Sequence, residues 1–375
     1  MRLRSPIALA LSALVTLGCG ALLSLPDPTL DPSLGASDAQ KPDGPTGDAS
    51  NDQSTQPDTS RVDGGGDAGA ETLIARSGFH PWGLAINDTY LFFTEYLTPP
   101  SISRANKDGT NVIKLASGIN GTAAAGFAPT RIKADATDVY WLTVGYNGNP
   151  AVLKCAAAGC GGTPTDLVNP PLQFSPYFLA LSTTHVYFSL GNELTVRRVS
   201  KMGGPAELVA TLADKPSGLY VDADKWLYID DDDGSVTKVD ISGAFVVSTI
   251  VPAGAPKPSS AITATASRAI YTQFADPGVV SWVSTSGADS GAGTYVAQAS
   301  NPIDIANDGV GLYWANQGSG GFDGEISTCS LAGNCTPKVL ATGYEVIKQM
   351  AVDNTHVYFS YKGLSGDGAI MRVHK

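Results

Sequence analysis

The run YLFF at residues 90–93 returns as VYW at 139–141, VYF at 186–188, WLY at 226–228, AIY at 269–271, LYW at 312–314 and VYF at 357–359. Aligned on Leu91, Val139, Val186, Trp226, Ala269, Leu312 and Val357, successive spacings are 48, 47, 40, 43, 43 and 45 residues. A period of this size marks a repeat architecture, and its content identifies the repeating unit. Before each run stands a segment alternating apolar and polar residues: GLAIND, RIKADA, FLALST, GLYVDA, AITATA, DIANDG and QMAVDN. That alternation is the period of a half-buried strand. After each run comes a third strand, often with a basic end: SISR (101–104), AVLK (151–154), TVRR (195–198), SVTK (235–238), VVSW (279–282), EIST (325–328) and AIMR (369–372). A fourth strand follows as VIKLASG, TDLVNP, LVATLAD, VSTIVPA, TYVAQAS and KVLATGY, six times only.

The seventh unit reaches Lys375 directly after its third strand, and ETLIARSG at 71–78 supplies what it lacks. A strand from the start of the domain that completes the last unit closes a ring and removes the open edge of a linear array. The expected fold is therefore all-β: a seven-bladed β-propeller with four strands per blade, over residues 71–375.

Pairs such as Tyr140-Trp141 and the stretch Tyr313-Trp314-Ala315-Asn316 resemble the YWTD repeats of low-density-lipoprotein-receptor-type propellers. The segment ISRANKDGTNVIKLASG is similar to the continuation of that repeat. No unit carries the full tetrapeptide, and those propellers have six blades where seven are counted here. The resemblance implies ligand or protein binding.

Ahead of the repeats, Arg2 and Arg4 precede an apolar stretch from Ile7 to Leu17, too short for a permanent membrane span and suited to a secretory signal. It ends in Thr16-Leu17-Gly18-Cys19, which resembles a bacterial lipobox, although Thr16 stands where that motif usually has Leu. The resemblance implies a signal peptide over 1–18 and lipidation of Cys19, whose acyl chains would contribute about 0.8 kcal/mol per buried methylene. An ordinary signal peptide cleaved a few residues later is the alternative. Degenerate repeats behind a lipobox also resemble secreted lipoproteins of myxobacterial type. Residues 19–70 read as a tether: from Pro26 to Asp67 there are nine Asp and six Pro against only Lys41 and Arg61. Such a segment cannot bury enough surface to offset its ordering entropy.

Composition agrees with an envelope address, lipid-anchored to the outer membrane on its periplasmic or surface side. Charged residues make up 16% while Gly (42) and Pro (24) are plentiful, as a turn-rich strand protein requires. With 24 basic and 35 acidic residues the net charge is -11, which repels a phosphate backbone and argues against nucleic acid as a partner. Membrane contact is expected through the lipid alone. Cys155 and Cys160 flank one third-to-fourth-strand turn, and Cys329 and Cys335 flank the equivalent turn of another blade. In an oxidising compartment these read as two hairpin disulfides. A zinc site is the rival, and it needs further Cys or His beside each pair.

No catalytic set assembles from the sequence. His185 and His356 share one hairpin slot and His374 is near Lys375, so only His80 falls near the functional face. The run Asp230-Asp231-Asp232-Asp233-Gly234 offers several carboxylates on one loop. Calcium, which takes six to eight oxygens, would suit it, and an Asp-rich turn is the plainer reading. No other cofactor is expected. The loops that join second to third strands, and one blade to the next, share a face and collect aromatics. From the first blades come Phe79, Trp82, Tyr96, Phe127 and Tyr146; from the later ones come Phe174, Tyr177, Phe274, Phe322, Tyr344 and Tyr361. Rigid aromatics suit binding hot spots, and aromatics folded inward as plugs between blades are the alternative. The functional expectation is non-catalytic recognition of an envelope protein or polysaccharide through this face. The alternatives are a propeller enzyme of lyase, lactonase or quinoprotein type with a metal or cofactor in the central funnel, and a structural subunit of a larger complex.

Overall fold

A computed structural model describes residues 69–95, 100–117, 127–145, 150–254, 259–287, 290–319, 321–332, 335–363 and 366–375. The signal segment, Cys19 and the tether up to residue 68 lie outside the described residues. The strands, numbered β1 to β28 in chain order, form seven antiparallel sheets of four, six of them meanders of consecutive strands. One sheet per repeat makes seven blades, and the fold is the seven-bladed propeller expected. The innermost strands are β2 (Pro81–Ile86), β6 (Phe127–Ala134), β10 (Leu179–Leu181), β14 (Pro216–Asp222), β18 (Ser259–Ala264), β22 (Pro302–Asn307) and β26 (Val346–Val352), in blades 1 to 7.

Blade 7 runs in the order β1-β28-β27-β26, so its outer strand comes from the start of the domain. β1 (Ala70–Ala75) pairs antiparallel with β28 (Ala369–His374), with Glu71 opposite Arg372 and Ala75 opposite Ala369. The Arg372 guanidinium also binds the Glu71 carboxylate at 2.6 Å. The closing strand is thus held by a backbone ladder, an ion pair and the buried Ile74.

The aromatic runs are second strands, apolar on both faces because a neighbouring blade covers each face. In β23 (Gly311–Asn316) every residue is buried. Tyr140, Trp141, Phe92, Phe93, Tyr187, Phe188, Trp314, Tyr358 and Phe359 are all but inaccessible. The core is therefore distributed as one apolar cluster at each blade junction. Phe92, Ile132 and Trp141 join blades 1 and 2, for example, while Tyr313, Ile347 and Phe359 join blades 6 and 7.

Polar clasps repeat on the face that carries the hairpins between first and second strands. Asp135, Asp308 and Asp353 each open such a hairpin and accept backbone N–H groups of their own turn. Each also accepts a tyrosine hydroxyl at 3.1 Å, from Tyr140, Tyr313 and Tyr358 respectively. A lysine of the next blade completes the set: Lys201 on Asp135, Lys375 on Asp308 and Lys107 on Asp353. The basic ends of the third strands also reach the next blade. Arg104, Lys154, Lys238 and Arg372 donate to the carbonyls of Ala158, Lys201, Thr285 and Lys107. Both disulfides form, Cys155–Cys160 and Cys329–Cys335, with Cα separations of 5.4 and 5.2 Å.

Candidate functional site: the channel mouth

An innermost strand has one edge paired to its blade and the other facing the ring axis. In six of the seven blades its register slips once near the start of the strand. The slips fall at Trp82-Gly83, Thr130-Arg131, Ser217, Ser260, Ile303 and Lys348. A bulge leaves residues unpaired and re-aims a side chain, which is why bulges gather beside functional sites. Here they form a ring at the end of the channel that shares its face with the blade-to-blade loops.

The occupants of this slot differ from blade to blade. In blades 7 and 1, Lys348 Nζ lies 4.4 Å from the centre of the Trp82 ring. In blades 2 and 3, Arg131 Cζ lies 4.8 Å from the centre of the Phe178 ring. Four consecutive blades thus present two cation–aromatic couples. Two residues beyond Arg131, Lys133 emerges on the same side of β6, while Ile132 between them is buried against blade 1. Arg131 is half-buried and Lys133 exposed. Desolvation by the protein around them lowers the pKa of both, and Asp304 in blade 6 opposes that shift from across the ring.

Asp304 has its own structural work. Its Oδ2 accepts the Met350 N–H at 2.8 Å, joining blades 6 and 7. Gln349 repeats the device one blade on, its Oε1 accepting the Leu84 N–H at 3.0 Å. Burial raises the Asp304 pKa, while Lys133, the Met350 N–H and Arg131 pull it down. Asp230 also acts on Arg131. The mouth therefore has a cationic, aromatic arc over blades 7, 1, 2 and 3, with Asp304 from blade 6 across from it and the buried Asp230 of blade 4 acting through its charge.

The aromatics expected on this face divide. Phe79 is fully buried, edge-to-face with Phe93 at 5.6 Å, and Tyr344 is buried edge-to-face with Phe359 at 4.8 Å. Tyr361 leans on Tyr344 at 5.2 Å, so these three are inter-blade packing rather than free surface. Phe174, Tyr177 and Phe322 are exposed, and Trp82, His80 and Phe274 are half-buried. Phe127 opens β6, and Tyr96 and Tyr146 lie outside the described residues. His185, His356 and His374 sit on the opposite, hairpin face, with His356 and His374 ring to ring at 5.4 Å.

The acidic run is not an open loop. Asp230 and Asp231 end β15 (Trp226–Asp231) and are buried, while Asp232 is exposed and Asp233 half-buried. Gly218 lies opposite Asp230, and any side chain at 218 would collide with its carboxylate. Asp231 Oδ2 accepts the Ser235 hydroxyl at 3.0 Å, and burial, with Asp230, Asp233 and Asp214 nearby, pushes its pKa up to about 7. Among the described residues no group of three or more His, Cys, Asp or Glu is arranged to hold a metal ion. Arg131, Lys133, Asp304 and Lys348 were missed by the sequence reading. The available signal was a charge inside an otherwise apolar innermost strand, as in RIKADA.

No family model and no curated protein matches the chain. Solved structures do match in fold. Virginiamycin B lyase from Staphylococcus aureus superposes with a TM-score of 0.63 at 14% identity, covering 83% of this chain and 99% of that one. A catalytically inactive His-to-Ala variant of that lyase with quinupristin gives 0.63 at 15% identity, covering 81% and 99%. YCF48 from Cyanidioschyzon merolae gives 0.57 at 10% identity, covering 82% and 99%. At these identities the likeness shows the propeller fold alone.

Proposed function

We propose that this protein is a lipid-anchored, non-catalytic binding module of the cell envelope that holds an envelope protein or polysaccharide at the channel mouth. One observation carries the reading. The bulge ring is the same backbone device in six blades, yet its occupants are Trp82, Arg131 and Lys348 on one arc and small or apolar residues on the other. A slot with a purely architectural role would keep one residue type, as the Asp–Tyr–Lys clasps do. The exposed Phe174, Tyr177 and Phe322 belong to loops of the same face and extend the surface outward. The two disulfides and the Thr16-Leu17-Gly18-Cys19 motif support the envelope address. At 14% identity the lyase likeness carries the fold and assigns no residue a role.

The test uses the full-length protein and its Trp82→Ala, Tyr177→Ala, Phe322→Ala triple variant as baits for solubilised envelope. Both are first shown to melt alike. A partner retained by the parent and lost by the variant is the expected result. Equal capture by both, or none by either, would remove the mouth as the binding face. Fractionation of Cys19→Ala cells checks the anchor, with the protein expected to leave the membrane pellet.

A further inference from the structure

We infer that the channel mouth takes an acidic polysaccharide, with a sugar carboxylate received by the Arg131, Lys133 and Lys348 arc and the sugar ring laid against Trp82 or Phe178. This rests on the reading of the mouth as a binding face and adds the chemistry of what it binds.

Charge placement is the first argument. The chain carries a net charge of -11, but nine Asp against Lys41 and Arg61 lie between Pro26 and Asp67, so the propeller itself is only mildly acidic. Against that background three cations stand on innermost strands of one arc, Lys348 in blade 7 and Arg131 and Lys133 in blade 2. Two of them, Arg131 and Lys133, stand two residues apart on β6, Arg131 half-buried and Lys133 exposed. The opposite charge acting on both is Asp304, from across the ring. That carboxylate is itself committed to the backbone N–H groups of Met350 and Ile305, which leaves the two cations for an incoming anion. An incoming carboxylate would find charge-assisted donors already oriented, and Arg131 presents the planar fork that grips carboxylates by two hydrogen bonds.

The aromatic partners select a sugar over a bare anion. Lys348 sits over Trp82, and Arg131 over Phe178, on adjacent pairs of blades. In each couple the cation lies over the aromatic ring, so a carboxylate on the cation brings its pyranose up against that ring.

The experiment is a calorimetric titration of the full-length protein with a short oligogalacturonate, with its methyl ester and with inorganic phosphate, at two ionic strengths. The acid is expected to bind, the ester about tenfold more weakly or not at all, and the acid to weaken with salt. Arg131→Gln is expected to lose about tenfold for the acid and to leave the ester unchanged. Trp82→Ala is expected to weaken the acid while keeping its salt dependence, and thermal melts establish that both variants are folded. Equal binding of acid and ester, no binding of the acid, or phosphate bound as well as the acid would overturn the inference. Capture of an envelope partner that is lost with Trp82→Ala but untouched by Arg131→Gln would leave the binding face standing and sink the acidic-sugar assignment alone.

Discussion

The two faces of the ring use repetition in opposite ways. On the hairpin face, three blades repeat the same Asp, Tyr and Lys in the same slots, with Asp135, Asp308 and Asp353 at their centres. At the channel mouth the backbone bulge repeats while the residues do not. In a protein built from copies, a side chain kept at equivalent positions answers to a need every blade has, which is to hold its neighbour. A side chain peculiar to one blade answers to something the ring as a whole does. This separates architecture from function without any relative to compare.

Ring closure is the largest structural dependence, and deleting Ala70–Ala75 tests it. The lost ladder holds five register pairs. At about 1 kcal/mol net per backbone hydrogen bond, the cost is on the order of 4–5 kcal/mol, with further loss from Ile74 and the Glu71 pair. Melting should fall by many degrees and the bared edge of β28 should promote association. Unchanged melting would mean that the ring is closed by blade-to-blade packing alone.

The hairpin disulfides come next. Cys155→Ala with Cys160→Ala, or the pair Cys329→Ala with Cys335→Ala, is expected to cost roughly 2 kcal/mol each, the chain-entropy value for such short loops. Reduction by dithiothreitol should lower the parent's melting temperature and leave a variant lacking all four unaffected.

The clasps predict a particular acid response. Lys201 and the backbone N–H groups of its turn hold Asp135 down at about 2, and Lys375 does the same for Asp308. A carboxylate whose folded pKa lies below its unfolded value stabilises the fold above that unfolded value. The contribution is lost as pH falls from about 4 toward 2. Asp135→Asn should therefore cost about 1–2 kcal/mol at pH 7, less near pH 2, and flatten that limb of the stability curve. Asp231 has the opposite sign. Its folded pKa is raised to about 7, so its stabilisation is complete below the unfolded value and drains away as pH rises toward 7. Asp231→Asn is expected to gain on the order of 1–2 kcal/mol at pH 8 and almost nothing at pH 4. Equal effects at both pH values would show that the Ser235 hydrogen bond, and not the charge, governs this position.

What could be read from the chain follows the same division. The aromatic runs gave blade number, strand order and the borrowed strand because burial on both faces leaves a plain apolar signature. The cysteines could be paired because they recur across equivalent turns. The basic ends of the third strands were visible as a pattern, but their targets, carbonyls such as Ala158 and Thr285 in the next blade, are contacts between copies. The mouth was not legible. A bulge has no residue signature of its own, so Trp82 was found as a loop aromatic, while Arg131 and Lys348 passed as ordinary strand residues. Phe79 and Tyr344 were gathered with the surface aromatics because sequence gives the loop a ring belongs to, not the direction it turns.

The smallest expected effect sharpens the comparison most, because its sign differs between the two faces. Lys201 in a clasp binds an aspartate of another blade, whereas Lys133 in the channel feels one, Asp304, through its charge alone. Lys201 binds Asp135 at 2.8 Å and also stands over the Tyr140 ring. Lys133 is exposed, its pKa lowered by the protein around it and raised again by Asp304. Replacing each by Met at neutral pH should then destabilise at Lys201 by about 1 kcal/mol and stabilise at Lys133 by a few tenths of a kcal/mol, the pattern of a site that gives up stability for function. Chemical denaturation of the two variants measures both signs in one series. If Lys133→Met costs as much as Lys201→Met, the channel lysine is one more clasp and the distinction between repeated architecture and unrepeated function fails at that residue. If it stabilises and also abolishes oligogalacturonate binding, one substitution separates what holds the ring together from what the ring holds.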